Sequence, residues 1–300
     1  MSGWITSIEG TETGATVALM LALLAALLHA VFGALQKGRH DPLLARGAID
    51  ASYGLMAAPV ALFVVPWPEP HMWPIFAGVF VIHAGYKWAV LLSFRRGAYT
   101  VVYPVMRGTG PLFTIFGAWL IFGETFSGTQ WLGVIVLLAG LYGLAAYNMA
   151  RVTVARDTLV SALGFAVLTG LFVALYTTFD AYGIRATADP FTFLAWFFFI
   201  DGLLYPVLAT RFYLRMETPP ALAPLALRGV IGGIVAFLSF GSIMLATRLD
   251  QVGEAAVLRE TSTVFAALIG WLFLREPVGP ARAALMGLIA AGAVIVEFGG

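Results

Sequence analysis

Long apolar stretches separated by short polar segments dominate the chain. Each of ten stretches is long and apolar enough to cross a bilayer, which takes roughly 20 residues for about 30 Å of hydrocarbon. The connections are short and contain the Gly and Pro of turns, so none can hold a soluble domain. The pattern therefore predicts an all-α integral membrane protein with ten transmembrane helices, at 15–36, 46–66, 72–94, 98–122, 129–149, 159–182, 190–214, 224–246, 252–274 and 279–298.

The composition agrees with a chain that lies in lipid. Of the 300 residues, 60% are hydrophobic and 11% are charged, whereas a soluble domain has roughly 25% charged residues. The net charge is +1 and no Lys and Arg cluster occurs, so we expect the lipid bilayer and no nucleic acid as a partner. Cysteine is absent and the four His are dispersed, and no Gly-rich phosphate loop occurs. We therefore predict no metal, no cofactor and no direct coupling to ATP.

Lys and Arg are distributed unequally between alternate connections. Short loops rich in these residues stay in the cytoplasm. One set of loops has Arg185 and Arg248, whereas the other set has Lys37, Arg39, Arg46, Arg95, Arg96, Arg151, Arg156, Arg211, Arg215, Arg275 and Arg282. This distribution predicts a multi-pass protein of the cell (inner) membrane with both termini outside the cytoplasm.

The two halves of the chain resemble each other at an offset of 152 residues. Over 107–140, eight of 34 positions are identical to their counterparts, including one Arg, one Trp and one Glu. Identities of these types are not expected by chance in a chain rich in Ala, Leu and Gly. The offset contains five helices, an odd number, so the second copy crosses the membrane in the opposite sense. We predict two inverted five-helix repeats, 1–150 and 151–300, in one compact domain, as is typical of secondary transporters.

Two pairs of segments indicate a family. The first pair is YPVMRGTGPLF at 103–113 and WLIFGE at 119–124, and the second is AAVLRET at 255–261 and LRE at 274–276. With these segments the chain resembles the drug/metabolite transporter superfamily, in its ten-helix EamA-like branch. The resemblance implies a central cavity lined mainly by the third and fourth helices of each half. It also implies export or exchange of metabolites by alternating access, without fixing the substrate.

Two arginines are predicted to lie deep within helices. Arg107 and Arg259 each lie about 12 Å along a helix from the membrane face at which that helix begins. The two helices begin at opposite faces. An Arg at a helix centre costs roughly 2.5–3.5 kcal/mol on insertion scales, so we expect both to contact an anionic group of a solute. The alternative is snorkelling to the headgroups. Glu260 follows Arg259 directly and faces about 100° away. Its candidate partners are Arg107, Lys87, the solute or a coupling proton.

Other polar side chains are predicted to line the same cavity. His83 and Lys87 are four residues apart and share one face of the third helix. Asp201 lies in the middle of the seventh helix, and Tyr86, Tyr103 and Trp88 are the aromatic candidates. For the charged residues a structural ion pair remains the alternative, and for His83 a hydrogen bond between helices.

The fourth helix carries two Pro and two Gly around its Arg. These residues remove backbone donors and helix stiffness, so they predict a kink or local unwinding at a hinge formed by Pro104, Gly108, Gly110 and Pro111. Close helix crossing at small residues is the alternative. The second copy lacks Gly and Pro over 258–263, so we expect unwinding in the first half alone.

Several further residues are expected to serve structure and not the solute. We expect Asp180, Arg185 and His29 to lie near the interfaces and to be structural. Glu124 and Glu276 stand at helix ends and are interpreted as turn or topology determinants. The aromatic run at 196–199 is interpreted as lipid-facing bulk.

These features together predict a secondary active transporter and no enzyme. The excess of Lys87, Arg107 and Arg259 over two carboxylates favours a small anionic or zwitterionic metabolite, an amino acid or an organic acid. We expect an exporter or exchanger, coupled to a proton or a counter-solute. The alternative is a membrane-embedded enzyme for lipid or isoprenoid substrates, which would need its polar residues beneath one leaflet instead of at the midplane.

Overall fold

The computed structural model describes residues 2–36, 41–96, 99–150, 156–273 and 279–300. All the regular elements in these ranges are α-helices, and no strand occurs among them. In chain order they are α1 (Ser2–Ser7), α2 (Glu12–Gln36), α3 (Pro42–Phe63), α4 (Met72–Arg96), α5 (Tyr99–Phe122), α6 (Gly128–Met149), α7 (Arg156–Ala186), α8 (Pro190–Asp201), α9 (Leu204–Tyr213), α10 (Leu222–Leu249), α11 (Val252–Arg259), α12 (Ser262–Phe273) and α13 (Pro280–Phe298).

The predicted all-α membrane fold is confirmed. Within the described ranges nine helical segments are long and apolar enough to cross a membrane, by length and composition, with α8–α9 and α11–α12 each counted as one segment. α3 is the tenth span, and its first half is more polar because it contains Arg46 and Asp50. Arg46, which we counted as a loop residue, therefore lies inside a helix. The short α1 was not predicted.

Large apolar side chains cover the outside of the helix bundle. Leu55, Phe63 and Leu120 expose 75%, 83% and 68% of their surface, which suits hydrocarbon as the surrounding solvent. Small residues take the contacts between helices, because lipid-embedded helices associate through close packing. Along α2, for example, Ala18, Ala22 and Ala25 are almost fully buried.

The aromatic run that we expected to face lipid lies in the interior, so that prediction was wrong. Trp196, Phe197 and Phe198 expose 3%, 1% and 2% of their surface. Their rings pack on one another and on α4, with Trp196 5.3 Å from Trp73 between centroids. α8 is apolar on all sides, so its sequence has no polar face from which to read orientation.

α3 and the α8–α9 segment cross at two glycines. A Cβ on Gly202 would lie 2.8 Å from Cα of Gly54 and 2.9 Å from the carbonyl oxygen of Asp50, so only glycine permits this approach. Asp50 lies one turn before Gly54, and Asp201 directly precedes Gly202. The crossing therefore brings two carboxylates from different halves of the chain to one point.

Candidate functional site

A buried ion-pair network, here called the lysine cluster, forms at this crossing. It consists of Arg46, Asp50, Tyr53, Lys87 and Asp201. The Nζ of Lys87 donates to Asp50 Oδ2 and to Asp201 Oδ1, each at 2.7 Å. Arg46 Nε lies 2.8 Å from Asp50 Oδ1, and the Tyr53 hydroxyl donates to Asp201 Oδ2 at 2.6 Å. Two cations face two carboxylates, so the cluster balances its own charge.

His83 and Asp180 form a second buried pair beside the lysine cluster. His83 Nε2 lies 2.9 Å from Asp180 Oδ2, and His83 Nδ1 lies 3.9 Å from Asp201 Oδ1. The side chains expose 3% and 4% of their surface. His83 and Lys87 do share one face of α4, as their spacing predicts. That face meets the carboxylates of α7 and α8.

The second polar group, here called the arginine cluster, joins the two halves of the chain. It consists of Arg107, Arg259, Glu260 and Ser262. Arg107 Nε lies 2.8 Å from Glu260 Oε2, and its Nη2 donates to the Arg259 carbonyl at 2.9 Å and to Ser262 Oγ at 2.6 Å. The two repeat-related arginines therefore lie against each other. Of the partners left open for Glu260, the structure shows Arg107.

The helix break lies in the second half, where we did not expect it. α5 runs without interruption through Pro104 and Pro111, so the predicted local unwinding of the fourth helix is wrong. The ninth span instead breaks between Arg259 and Ser262. Thr261 Oγ1 donates to the Leu258 carbonyl at 2.6 Å. Such Ser and Thr bonds compete with helical ones. Arg107 satisfies the Arg259 carbonyl that the break frees.

Arg259 is a buried cation with no carboxylate at ion-pair distance among the described residues. Its guanidinium carbon lies 5.0 Å from the ring centre of Phe240 and 5.8 Å from that of Tyr176. The repeat explains the difference from Arg107. At the offset of 152 residues the counterpart of Glu260 is Gly108. The repeat therefore supplies no second carboxylate, which agrees with the lack of an ion pair for Arg259 within the described ranges.

A small cavity lies beside Arg259. Its volume is about 10 Å³, room for about one water molecule. The lining combines one cation, one carboxylate, hydroxyls and apolar groups from α7, α10 and α11: Tyr176, Thr177, Asp180, Phe240, Ile243, Met244, Thr247 and Arg259.

Aromatic rings connect the arginine cluster to the His83–Asp180 pair. The Tyr176 ring lies 4.9 Å from the His83 ring and 4.9 Å from the Tyr86 ring, between centroids. The Arg107 guanidinium carbon lies 5.9 Å from the Tyr103 ring centre. The predicted residues thus come together in one region of the interior, with Tyr176 between their two groups.

Some residues of this region were missed from the sequence. Asp50 and Tyr53 continue the stripe of Arg46 along one face of α3, a helical spacing that was readable. Asp180, expected to be structural and near an interface, is buried and lines the cavity. Tyr176 lies one turn before it. No spacing in the sequence singles out Tyr176 from other aromatic residues.

Glu124, which we interpreted as a turn or topology determinant, binds a helix end of the other half of the chain. Its carboxylate accepts from the backbone N–H groups of Val252 and Gly253, at 2.9 and 3.0 Å. A residue of the first half therefore caps the N-terminus of α11 in the second half. Its repeat counterpart Glu276 lies outside the described residues.

Arg185 and Arg248 bind the ends of neighbouring helices. Arg185 donates to the carbonyls of Thr247 and Asp250 at 2.8 and 2.7 Å. Arg248 donates to the Ile184 carbonyl at 2.5 Å. Both act in structure, as expected for Arg185. The His29 ring lies 6.4 Å from the ring of Phe240, between centroids.

The fold and this buried site define a multi-pass membrane protein with a charged interior. A model of the EamA-like transporter family matches residues 16–146 and again 160–298. The chain belongs to this family, and the predicted resemblance is confirmed. One match falls in each half, and each contains five spans, which gives the two repeats opposite senses across the membrane. The protein is therefore a membrane transporter of the drug/metabolite transporter superfamily, with a small-molecule solute and the lipid bilayer as its partners.

Comparison with solved structures supports the same fold. Twenty-nine chains match. One crystal structure aligns with a TM-score of 0.75 over 94% of this chain and 99% of its own, at 17% identity, which shows the fold alone. No curated protein matches the sequence.

Proposed function

We propose that the protein is a secondary active transporter of a small anionic or zwitterionic metabolite, an amino acid or an organic acid, and that it works by alternating access as an exporter or exchanger. The observation that carries this proposal is Arg259, a buried guanidinium that lines a cavity and has no carboxylate at ion-pair distance among the described residues. A buried unpaired charge is costly, so its retention is best explained by an anionic ligand. A guanidinium binds a carboxylate through two parallel hydrogen bonds.

The other predicted site residues have proposed roles around this contact. Arg107 and Glu260 hold the helix break that presents Arg259, and Tyr103 lies beside Arg107. Tyr86 borders the cavity through Tyr176. Lys87, His83 and Asp201 contribute the polar wall behind it, where a coupling proton or counter-solute would act. Pro104, Gly108, Gly110 and Pro111 keep their proposed hinge role, as points where α5 bends when the cavity opens.

The test is binding and counterflow with the purified protein. We expect carboxylates or amino acids, and not simple amines, to raise the melting temperature, since a ligand at 100 times its Kd stabilises by about 2.7 kcal/mol. The same solutes should show counterflow in proteoliposomes. Arg259→Leu should abolish both effects at unchanged yield. Arg282→Leu removes an Arg that donates to Asn148 away from the cavity and is the matched control. Full binding by Arg259→Leu would contradict the proposal.

A further inference from the structure

Asp180 is a buried carboxylate that the protein satisfies on one oxygen only. Its Oδ2 is held by His83 Nε2 at 2.9 Å, whereas its Oδ1 has no hydrogen-bond partner among the described residues. The residue exposes 3% of its surface and lines the cavity beside Arg259. Buried carboxylate oxygens normally accept hydrogen bonds, and leaving one unpaired costs free energy. Asp180 Oδ1 is therefore ready to accept a donor that enters the cavity.

Arg259, on the same cavity, has a donor group without an acceptor. Its Nε also lacks a hydrogen-bond partner among the described residues. Asp180 and Arg259 both line the cavity, yet no ion pair joins them within the described part of the chain. Each residue has other contacts instead: Asp180 binds His83, and Arg259 packs against the rings of Phe240 and Tyr176. The cavity wall thus presents two separated charges of opposite sign.

We propose that Asp180 is a specificity-determining residue that binds the cationic end of a zwitterionic solute while Arg259 binds its anionic end. This inference rests on the proposed function and narrows its substrate class from anionic or zwitterionic metabolites to zwitterions alone. A zwitterion inserted between the two residues supplies an N–H donor to Asp180 Oδ1 and an oxygen acceptor to Arg259. An organic acid without a cationic group would leave Asp180 Oδ1 without a donor. It would also bring a second anion close to Asp180, which weakens binding.

The experiment compares matched solutes that differ only in the cationic group. Each pair consists of an amino acid and the 2-hydroxy acid with the same side chain: alanine with lactate, leucine with 2-hydroxyisocaproate, and phenylalanine with phenyllactate. Binding to the purified full-length protein is measured by melting temperature and by titration calorimetry. In any pair that binds, we expect the wild-type protein to have a roughly tenfold or greater affinity for the amino acid than for the hydroxy acid. Tenfold corresponds to about 1.4 kcal/mol.

The variants separate Asp180 from Arg259. Asp180→Asn keeps the size of the side chain and an acceptor for His83 but loses the charge, so the preference within a pair should fall to about one. Asp189→Asn makes the same change at the N-cap of α8, outside the residues that line the cavity, and should leave the preference intact. Arg259→Leu should abolish binding of both members.

Each outcome decides between the two proposals. An unchanged preference in Asp180→Asn would overturn the role of Asp180. A wild-type protein that prefers the hydroxy acids, or binds none of the pairs, would overturn the zwitterion assignment even if Asp180→Asn does not fold. Unimpaired binding by Arg259→Leu would instead contradict the proposed function. The change of preference in Asp180→Asn could still be interpreted, because it is measured independently of Arg259.

Discussion

Two arginines at equivalent positions of the repeat have different surroundings because of one neighbouring residue. Glu260 follows Arg259 in the second half and pairs with Arg107 of the first half. The corresponding residue after Arg107 is Gly108, so Arg259 receives no carboxylate in return. One cation is therefore used to join the halves, and the other is left for the cavity.

This difference predicts unequal losses of stability for the same substitution at the two positions. Arg107→Leu leaves the buried Glu260 carboxylate without its partner, so we expect the free energy of unfolding to fall by about 3 to 5 kcal/mol. Adding Glu260→Gln removes that stranded charge and should restore part of the loss. Arg259→Leu should change stability much less, because it breaks no ion pair within the described residues. Thermal unfolding of the four proteins in one detergent measures these effects.

The melting temperature of Arg107→Leu, with and without solute, is the decisive result. If Arg107→Leu melts like the wild-type protein and loses only the solute-induced shift, Arg107 contacts the solute and does not act through Glu260. Arg107→Lys serves as the conservative comparison, because it keeps the charge but not the planar guanidinium that reaches Glu260, Ser262 and the Arg259 carbonyl together.

At the scale of helices, residues of one half complete elements of the other. Arg107 satisfies the carbonyl freed by the break between α11 and α12, and Glu124 accepts from two N–H groups at the start of α11. The ninth span is thus held at its N-terminus and at its break by the first half. A short helix of this kind depends on contacts with its neighbours, since isolated short helices are marginal.

The cap on α11 gives a prediction at this scale. Glu124→Ala leaves the N–H groups of Val252 and Gly253 without their acceptor, and we expect a loss of about 0.5 to 2 kcal/mol, as for other helix caps. Glu124→Gln keeps one amide oxygen and should lose less. Glu69→Ala, at an exposed position in the loop before α4, is the control. Equal melting temperatures for Glu124→Ala and the control would show that the cap contributes nothing measurable.

For the whole molecule, the unequal distribution of Lys and Arg still predicts the orientation. We expect both termini outside the cytoplasm of the inner membrane, with the first five-helix half at 1–150 and the second at 151–300. Because the chain contains no cysteine, a thiol reagent labels only a cysteine that is introduced by substitution. Glu217 and Glu69 are both exposed, in the loops after α9 and after α3. These loops are expected on opposite sides.

The matching experiment uses an impermeant thiol reagent on intact cells. Glu69→Cys should be labelled, and Glu217→Cys should be labelled only after the membrane is opened. The reverse pattern would invert the orientation. It would leave the fold and the charged site unchanged, because neither depends on which face is cytoplasmic. Labelling of both residues in intact cells would contradict the assignment of these two loops to opposite sides.

The sequence by itself determined the class, the number of spans and the repeat, because the length of apolar runs, the sparse charges and an offset of 152 residues are properties of the chain alone. It also marked Arg107, Arg259 and Glu260 as unusual, since charges within apolar runs are costly wherever the helices pack. It could not decide which partner each charge meets, because that depends on which helices cross. Only the tertiary structure paired Arg107 with Glu260, placed Asp180 on the cavity and buried the apolar run at 196–199. These outcomes are set by contacts between residues far apart along the chain, for which helical periodicity carries no signal.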